Sequence, residues 1–516
     1  MVKDKQAGIC RTEGDTNMKT MLERGAGILM PVSSLPSPYG IGTFGSAAYD
    51  FVDFLKKARQ KYWQVLPVGP TSYGDSPYQS FSAFAGNPYF IDLDTLVKEG
   101  LLTQDEINAC YWGDNPTQVA YDAVFWYRFP LLKKAYARSE YREEQGYEKF
   151  CMDSWFWLND YAFYMALKFH FDNKEWLAWP EDIRFRKKEA VEPYREELKD
   201  EIDFWKFLQY KFYQQWGKLR AYANEQGISI IGDIPIYVAL DSADVWTHPE
   251  LFLLDEENLT PLKVAGVPPD AFSETGQLWG NPLYRWDVQE KTDFAWWKER
   301  MKASARLYDV VRIDHFIGVT QYYAIPAGSE DGKTGEWLKG PGKKLTDAIN
   351  MVIGDTKIIA EDLGIFVPEV KELLEETGYP GMKIIEFAFS GDRFNEHLPH
   401  MYSPNSVVYG GTHDNETLVG YFKPEARQWW ELQYIADYMG VSHQHEVVDK
   451  VLKTAYASVA SVVIFQAQDV LKLDSWARMN TPGTVGNNWR WRMKPGELTQ
   501  DHINHLSWLV DTFGRF

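Results

Sequence analysis

With 516 residues, 45% of them hydrophobic, the chain has ample material for a buried core, and its length fits roughly two to four domains or one large barrel with insertions. Its 73 Asp and Glu outweigh 54 Lys and Arg, and the formal net charge of -19 excludes a nucleic-acid partner, because phosphate binding needs clustered cations. A neutral substrate remains open, and 21 Trp and 30 Tyr supply flat faces that stack on sugars or bases, although most such rings belong to a core.

The stretch 1–23, opening MVKDKQAGICRTEGDTN, is polar and aperiodic and reads as a disordered leader, with Met18 as an alternative start. It lacks the apolar run of a signal peptide, and no window approaches the ~18 apolar residues of a membrane span. Cys10, Cys110 and Cys151 are widely spaced with no C-x-x-C pattern, so neither a disulfide framework nor a zinc site is expected. A soluble, cytoplasmic setting fits.

From Gly25 onward, eight β-rich runs recur, each followed by helical character: GAGILMPVSS, YWQVLPVG, ISIIGDIPIYV, VVRIDHF, KIIAEDLG, MKIIEFAF, SVVYGGTHD and SVVIFQAQDVL. Continuous apolar runs rather than alternation predict parallel strands buried on both faces. Eight strand and helix units predict an α/β (β/α)8 TIM barrel spanning 24–516, with catalytic groups at the C-terminal ends of its strands. The uneven spacing predicts two insertions. Residues 93–205 read as mainly helical. Residues 239–290, rich in Gly, Pro and Trp, read as a loop-rich segment over the barrel mouth. The final DHINHLSWLVDTFGRF reads as the closing helix, with no separate C-terminal β-domain.

Polar residues fall where such a barrel needs them. Asp233 lies in the third run, Asp314 ends the fourth, Glu361 and Asp362 end the fifth, and His413 with Asp414 end the seventh. Carboxylate pairs are the tools of glycoside chemistry: a retaining enzyme needs a nucleophile and an acid about 5–5.5 Å apart. In RIDHF, Arg312 sits two residues before Asp314 and so on the same side of the strand, where it can keep that acid ionised; a plain buried ion pair is the competing reading. Apolar residues before Glu361 favour its protonated form, as a general acid requires. Asp362 faces the other way and reads as structural. His413 and Asp414 can bond sugar hydroxyls, with a helix cap as the rival reading of Asp414.

Other motifs carry less. GIGTFG, Gly40 to Gly45, matches a dinucleotide fingerprint in letters only, since LPSPY separates it from the strand and the next strand ends without an acid. The HQH at His443 to His445 has no neighbouring ligand pattern, and Ser33 and Ser34 have no histidine partner. No cofactor or metal is expected.

In this order, DIPIYV, VVRIDHFIG, IIAEDLG and GTHDNET resemble the four conserved regions of the α-amylase superfamily. GILMPVSSLPSPYGIGTFG, DSPYQSFSAFAGNPYFIDL, AGVPPDAFSETGQLWGNPLY and RMNTPGTVGNNWRWR are similar, more specifically, to the 4-α-glucanotransferase family, from about Gly25 to the C-terminus. The resemblance implies retaining transfer of α-1,4-glucan segments to a sugar hydroxyl, with maltooligosaccharides as donors and glucose or maltose as acceptors. It implies Asp314 as nucleophile, Glu361 as general acid/base and Asp414 as transition-state stabiliser. Arg312, His413 and Asp233 would support the sugar, Tyr78 would be its aromatic platform, and Tyr73 and Ser76 would be further contacts. Gln277, Leu278 and Trp279 match the family's cover over the groove, and Asn480 matches another sugar contact. Tyr237 stands where the superfamily often has histidine, in keeping with this branch. An α-glucan hydrolase, a silent carbohydrate-binding protein and a nucleotide-dependent glycosyltransferase are the alternatives.

Overall fold

The computed structural model describes residues 22–516 apart from 73, 270–272 and 365–366. Each of the eight apolar runs supplies one strand: β1 (Gly25–Leu29), β2 (Tyr62–Gln64), β3 (Ser229–Pro235), β4 (Val310–Asp314), β5 (Lys357–Ala360), β6 (Gly381–Ile384), β7 (Ser406–Tyr409) and β8 (Val462–Gln466). They form one parallel sheet in the order β6-β7-β8-β1-β2-β3-β4-β5. The ends meet where the Ala360 N–H at the end of β5 donates to the Pro380 carbonyl before β6 at 3.0 Å. Asp362 adds a second tie, accepting the Met382 N–H at 2.7 Å, which is the structural task its position implied. The result is a (β/α)8 TIM barrel, and after β8 the described chain contains helices, among them the closing helix Gln500–Phe513, and no further strand.

The period of two explains what the barrel holds. Leu29, Tyr62, Ile231, Val310, Ile359, Met382, Ile384, Val407, Tyr409, Val462 and Ile464 form the inner cluster, while the alternate residues, such as Ile28, Trp63, Ile230, Val311 and Val463, pack outward against the helices. Burying each inner side chain contributes about 1.5–3 kcal/mol. The same parity carries Asp233 above Ile231, Arg312 and Asp314 above Val310, and Glu361 above Ile359. The polar residues therefore top the inner column rather than the helical side.

The expected leader lies mostly outside the described residues, at 1–21. Its last two positions belong to the barrel instead: Leu22 is 5% exposed within the inner cluster, and the Glu23 carbonyl accepts the Tyr62 hydroxyl at 2.9 Å. Between β2 and β3 the chain runs through helices that include Tyr121–Arg138, Leu158–His170 and Lys199–Glu225. Position 205 falls inside the last of these, because its apolar stripe continues through Phe212, Trp216 and Leu219 down to the barrel wall.

Residues 239–290 are not simply a loop. They contain the strands Lys263–Val267 and Gln277–Pro282, which pair antiparallel and join Gln321–Pro326 and Glu336–Lys339 in a four-stranded sheet. Those last two strands come from a second excursion after β4. The glycines of GIGTFG serve packing: a side chain on Gly42 would strike the Val32 carbonyl, and one on Gly45 the Asp92 carboxylate. An acid thus occupies the place beside the head of helix Ser46–Lys57 where a phosphate would be needed. No described helix is long and apolar enough to cross a membrane.

Candidate active site

Arg312 is the hub of the barrel's C-terminal end. Its Nη1 lies 2.7 Å from both carboxylate oxygens of Asp233 on the adjacent strand and 2.9 Å from Asp314 on its own. The β3–β4 register, which sets Asp233 opposite Arg312 and Pro235 opposite Asp314, brings the three charges together. Asp233 is fully buried and Arg312 nearly so, whereas the Asp314 side chain is 27% exposed. One guanidinium therefore compensates an enclosed acid while orienting an accessible one. Removing such a cation would strand a buried charge, at a cost of about 3–5 kcal/mol.

Glu361 follows β5 directly and is 8% exposed. Burial first, then the negative charge of Asp314, pushes its carboxyl up to about 8, against the opposing pull of Arg312 and two backbone N–H groups. Those donors are His315 at 2.6 Å and Leu363 at 2.9 Å. The residue after Asp314 thus grips Glu361, so a single peptide links the positions of the two acids. At neutral pH Glu361 carries a proton it can give away.

Asp414 is tuned the other way. Surrounding protein atoms disfavour its charge, yet the neighbouring His413, their hydrogen bond and the Asn480 amide outweigh this and bring it down to about 2. Asn480 Nδ2 donates to Oδ1 at 2.6 Å, His413 Nε2 stands 3.3 Å from Oδ2, and Arg478 donates to the Asp414 carbonyl at 2.8 Å. Asp414 caps no helix: Thr417 has that place on Leu418–Tyr421. The Asp414 side chain is 44% exposed.

Tyr78 closes one wall. Its hydroxyl donates to Asp233 at 2.8 Å and meets His413 Nδ1 at 3.3 Å, and its ring stacks on His413 with centroids 4.9 Å apart. Trp489 completes this aromatic group, 5.7 Å from Tyr78 and 5.8 Å from His413. Ser76 stands two residues away, where its hydroxyl accepts the Tyr78 N–H at 3.3 Å. Tyr73 lies outside the described residues.

From the covering sheet, Trp279 reaches the barrel mouth, its ring edge-on to His315 at 4.8 Å and 6.3 Å from Tyr237. Gln277 accepts the Trp279 indole N–H at 3.1 Å, and Leu278 between them is 40% exposed. Gln277 and Trp279 share a face because they are two apart on one strand.

Sequence reasoning assigned no role to His315, Trp489 or Arg478. His315 adopts left-handed backbone, φ 52, and burial lowers its imidazole to about 4, so it is neutral. Its Nε2 is buried with no hydrogen-bond partner among the described residues. The signal was present in RIDHF, where a histidine follows the acid. Trp489 comes from an aperiodic loop, and only the density of Trp and Arg in NNWRWR marks it.

One carboxyl kept protonated and another kept ionised, beside a stacked aromatic wall at the C-terminal end of a TIM barrel, are what acid catalysis at a glycosidic bond demands, so fold and site define a glycoside-processing barrel enzyme. Comparison with known proteins narrows that class. Residues 30–499 match the family model described as 4-alpha-glucanotransferase. The 4-alpha-glucanotransferase of Clostridium butyricum is 49% identical over 486 residues, covering 94% of this chain and 100% of that protein. That of Streptococcus pneumoniae is 50% identical over 481 residues, covering 93% and 95%. The solved amylomaltase of Streptococcus agalactiae in complex with acarbose superposes with a TM-score of 0.92 at 43% identity, covering 96% of this chain and 100% of that one. The chain belongs to the 4-alpha-glucanotransferase family.

Proposed function

We propose that this site carries out the family's reaction, α-1,4-glucan transfer, by double displacement with Asp314, Glu361 and Asp414 as its chemical groups. The observation that supports this most is the pairing of an accessible Asp314, tied to Arg312, with a buried, proton-bearing Glu361. Asp314 attacks the anomeric carbon while Glu361 protonates the departing oxygen, leaving a glycosyl group bonded to Asp314 and a shortened glucan free. Glu361, now ionised, takes a proton from the 4-hydroxyl of an incoming sugar, whose oxygen displaces Asp314 and restores the carboxylate. Asp414 and His413 hold the ring as it flattens and gains positive charge. Tyr78 offers a face for the same sugar, backed by the buried Trp489, and Asp233 acts from beneath by fixing Arg312 and Tyr78. Donors are maltooligosaccharides or longer α-glucans; glucose and maltose are acceptors.

Incubation with maltotriose tests the reading. A ladder of longer and shorter maltooligosaccharides is expected, and Asp314→Asn or Glu361→Gln should slow its appearance by roughly 100- to 10,000-fold. Glucose and maltose alone would mean that water is the acceptor, and near-normal turnover in either variant would remove that residue from the mechanism.

A further inference from the structure

The helix Trp429–Met439 follows β7 and therefore starts on the catalytic rim of the barrel. Ile435 and Met439 anchor it, a Gln428/Glu431 capping box begins it, and left-handed Gly440 ends it. None of this needs an aromatic outer face, yet Trp429 is 78% exposed and Trp430 41%. Together with Tyr434 and Arg393, from the loop after β6, they line a trough of about 400 Å³, within the roughly 300–1,000 Å³ range of ligand clefts.

The trough is built rather than incidental. The Arg393 guanidinium lies 3.4 Å above the centre of the Tyr434 ring, and that ring is held edge-on by Phe389 at 5.5 Å. Gln433 donates to Asp437 at 2.8 Å, fixing an amide and a carboxylate along the same helix. Trp430 lies across Gly391, a residue with φ +94 whose missing side chain leaves room for the indole. Large apolar rings left in water mark binding surfaces.

The chemistry selects the occupant. Aromatic planes interleaved with one cation, one acid and one amide suit a neutral ligand with apolar C–H faces and hydroxyl edges, which is the character of a sugar chain. An apolar protein surface would desolvate both charges, leaving Arg393 only the Tyr434 ring and Asp437 only the Gln433 amide to offset the cost. A polyanion would meet a chain of net charge -19. We propose that this trough is a second glucan-binding site, separate from the catalytic carboxylates, which tethers polymeric α-glucan while its chain ends reach the active site. The ligand class rests on the transfer reading above.

Native gels containing amylopectin, run alongside kinetics on maltotriose and on amylopectin, test the proposal. The double variant Trp429→Ala/Trp430→Ala should bind amylopectin about tenfold more weakly and show a raised KM for it, with kcat/KM for maltotriose unchanged. Trp429→Phe should retain most of the retardation. Equal retardation of parent and double variant would overturn the proposal. So would a parallel loss of maltotriose turnover, which would place the trough in the catalytic groove. Failure of the transfer reading would be seen separately, as a missing maltotriose ladder in the parent protein.

Discussion

In the proposed mechanism Glu361 faces two demands that pull against each other: it must hold a proton to release the leaving sugar, yet it lies near Asp314, which must be ionised to attack. Burial and the Asp314 charge resolve the conflict by pushing Glu361 up to about 8, while Arg312 stabilises the negative partner. The sign of the consequence is fixed. The acid works only when protonated, so kcat/KM should hold on the neutral side and fall about tenfold per pH unit above about pH 8. A pH profile on maltotriose reads this directly. An alkaline limb below about pH 6 would show Glu361 titrating as an ordinary carboxyl and would undo its assignment.

At the scale of elements, the β7 loop that presents His413 and Asp414 rests on two buried carboxyls from its neighbours. Glu386, just after β6, donates its N–H to the Gly410 carbonyl at 3.1 Å, and its side-chain oxygen lies 2.6 Å from where a side chain on Gly411 would begin. Asp469, just after β8, accepts the Leu418 N–H at 2.8 Å. Burial, followed by Asp469 and Glu416, pushes Glu386 well above its usual range despite Arg478 and Arg427, and burial pushes Asp469 up to about 7. Carboxyls raised on folding stabilise fully below their unfolded value near 4 and lose that contribution as pH rises through the folded value. Melting temperature should therefore decline from about pH 4 to 8, and Glu386→Gln with Asp469→Asn should flatten part of the decline, Glu361 and the other raised carboxyls, Asp75, Asp233, Asp244 and Asp362, supplying the remainder. An unchanged slope in the double variant would show that these acids ionise without consequence. The same elements show what sequence can reveal. Strands such as VVRID and KIIA are buried on both faces, so they read as apolar runs and their polar ends as a site. The covering strand QLWGNP alternates between half-buried and exposed positions over only its first four residues, contains Gly and Pro, and shares its sheet with strands beyond β4, so no local pattern announces it. Asp233 was legible as an interior acid, but its enclosure by Arg312 and Tyr78 depends on contacts 79 and 155 residues away in sequence.

For the whole molecule, the question is why a sugar rather than water should collect the glycosyl group, since the barrel alone would serve either. The covering sheet draws on both excursions, with Lys263–Val267 and Gln277–Pro282 from one and Gln321–Pro326 and Glu336–Lys339 from the other, and it carries Trp279 over Tyr237 and His315 at the barrel mouth. On the proposed reading, a large ring placed there would displace water and give an acceptor sugar a face to rest on, so that the bound hydroxyl gains in effective concentration. Trp279→Ala should keep the fold, because Trp279 is partly exposed on its strand and the register pairs Gly266↔Leu278 and Val267↔Gln277 remain. It should raise glucose release relative to maltotriose disproportionation by roughly tenfold, about 1.4 kcal/mol of selectivity. Product ratios at matched turnover, with melting temperature as the control for folding, measure the effect. A constant ratio would mean that acceptor choice is made by the barrel rim itself, with the sheet contributing only to stability.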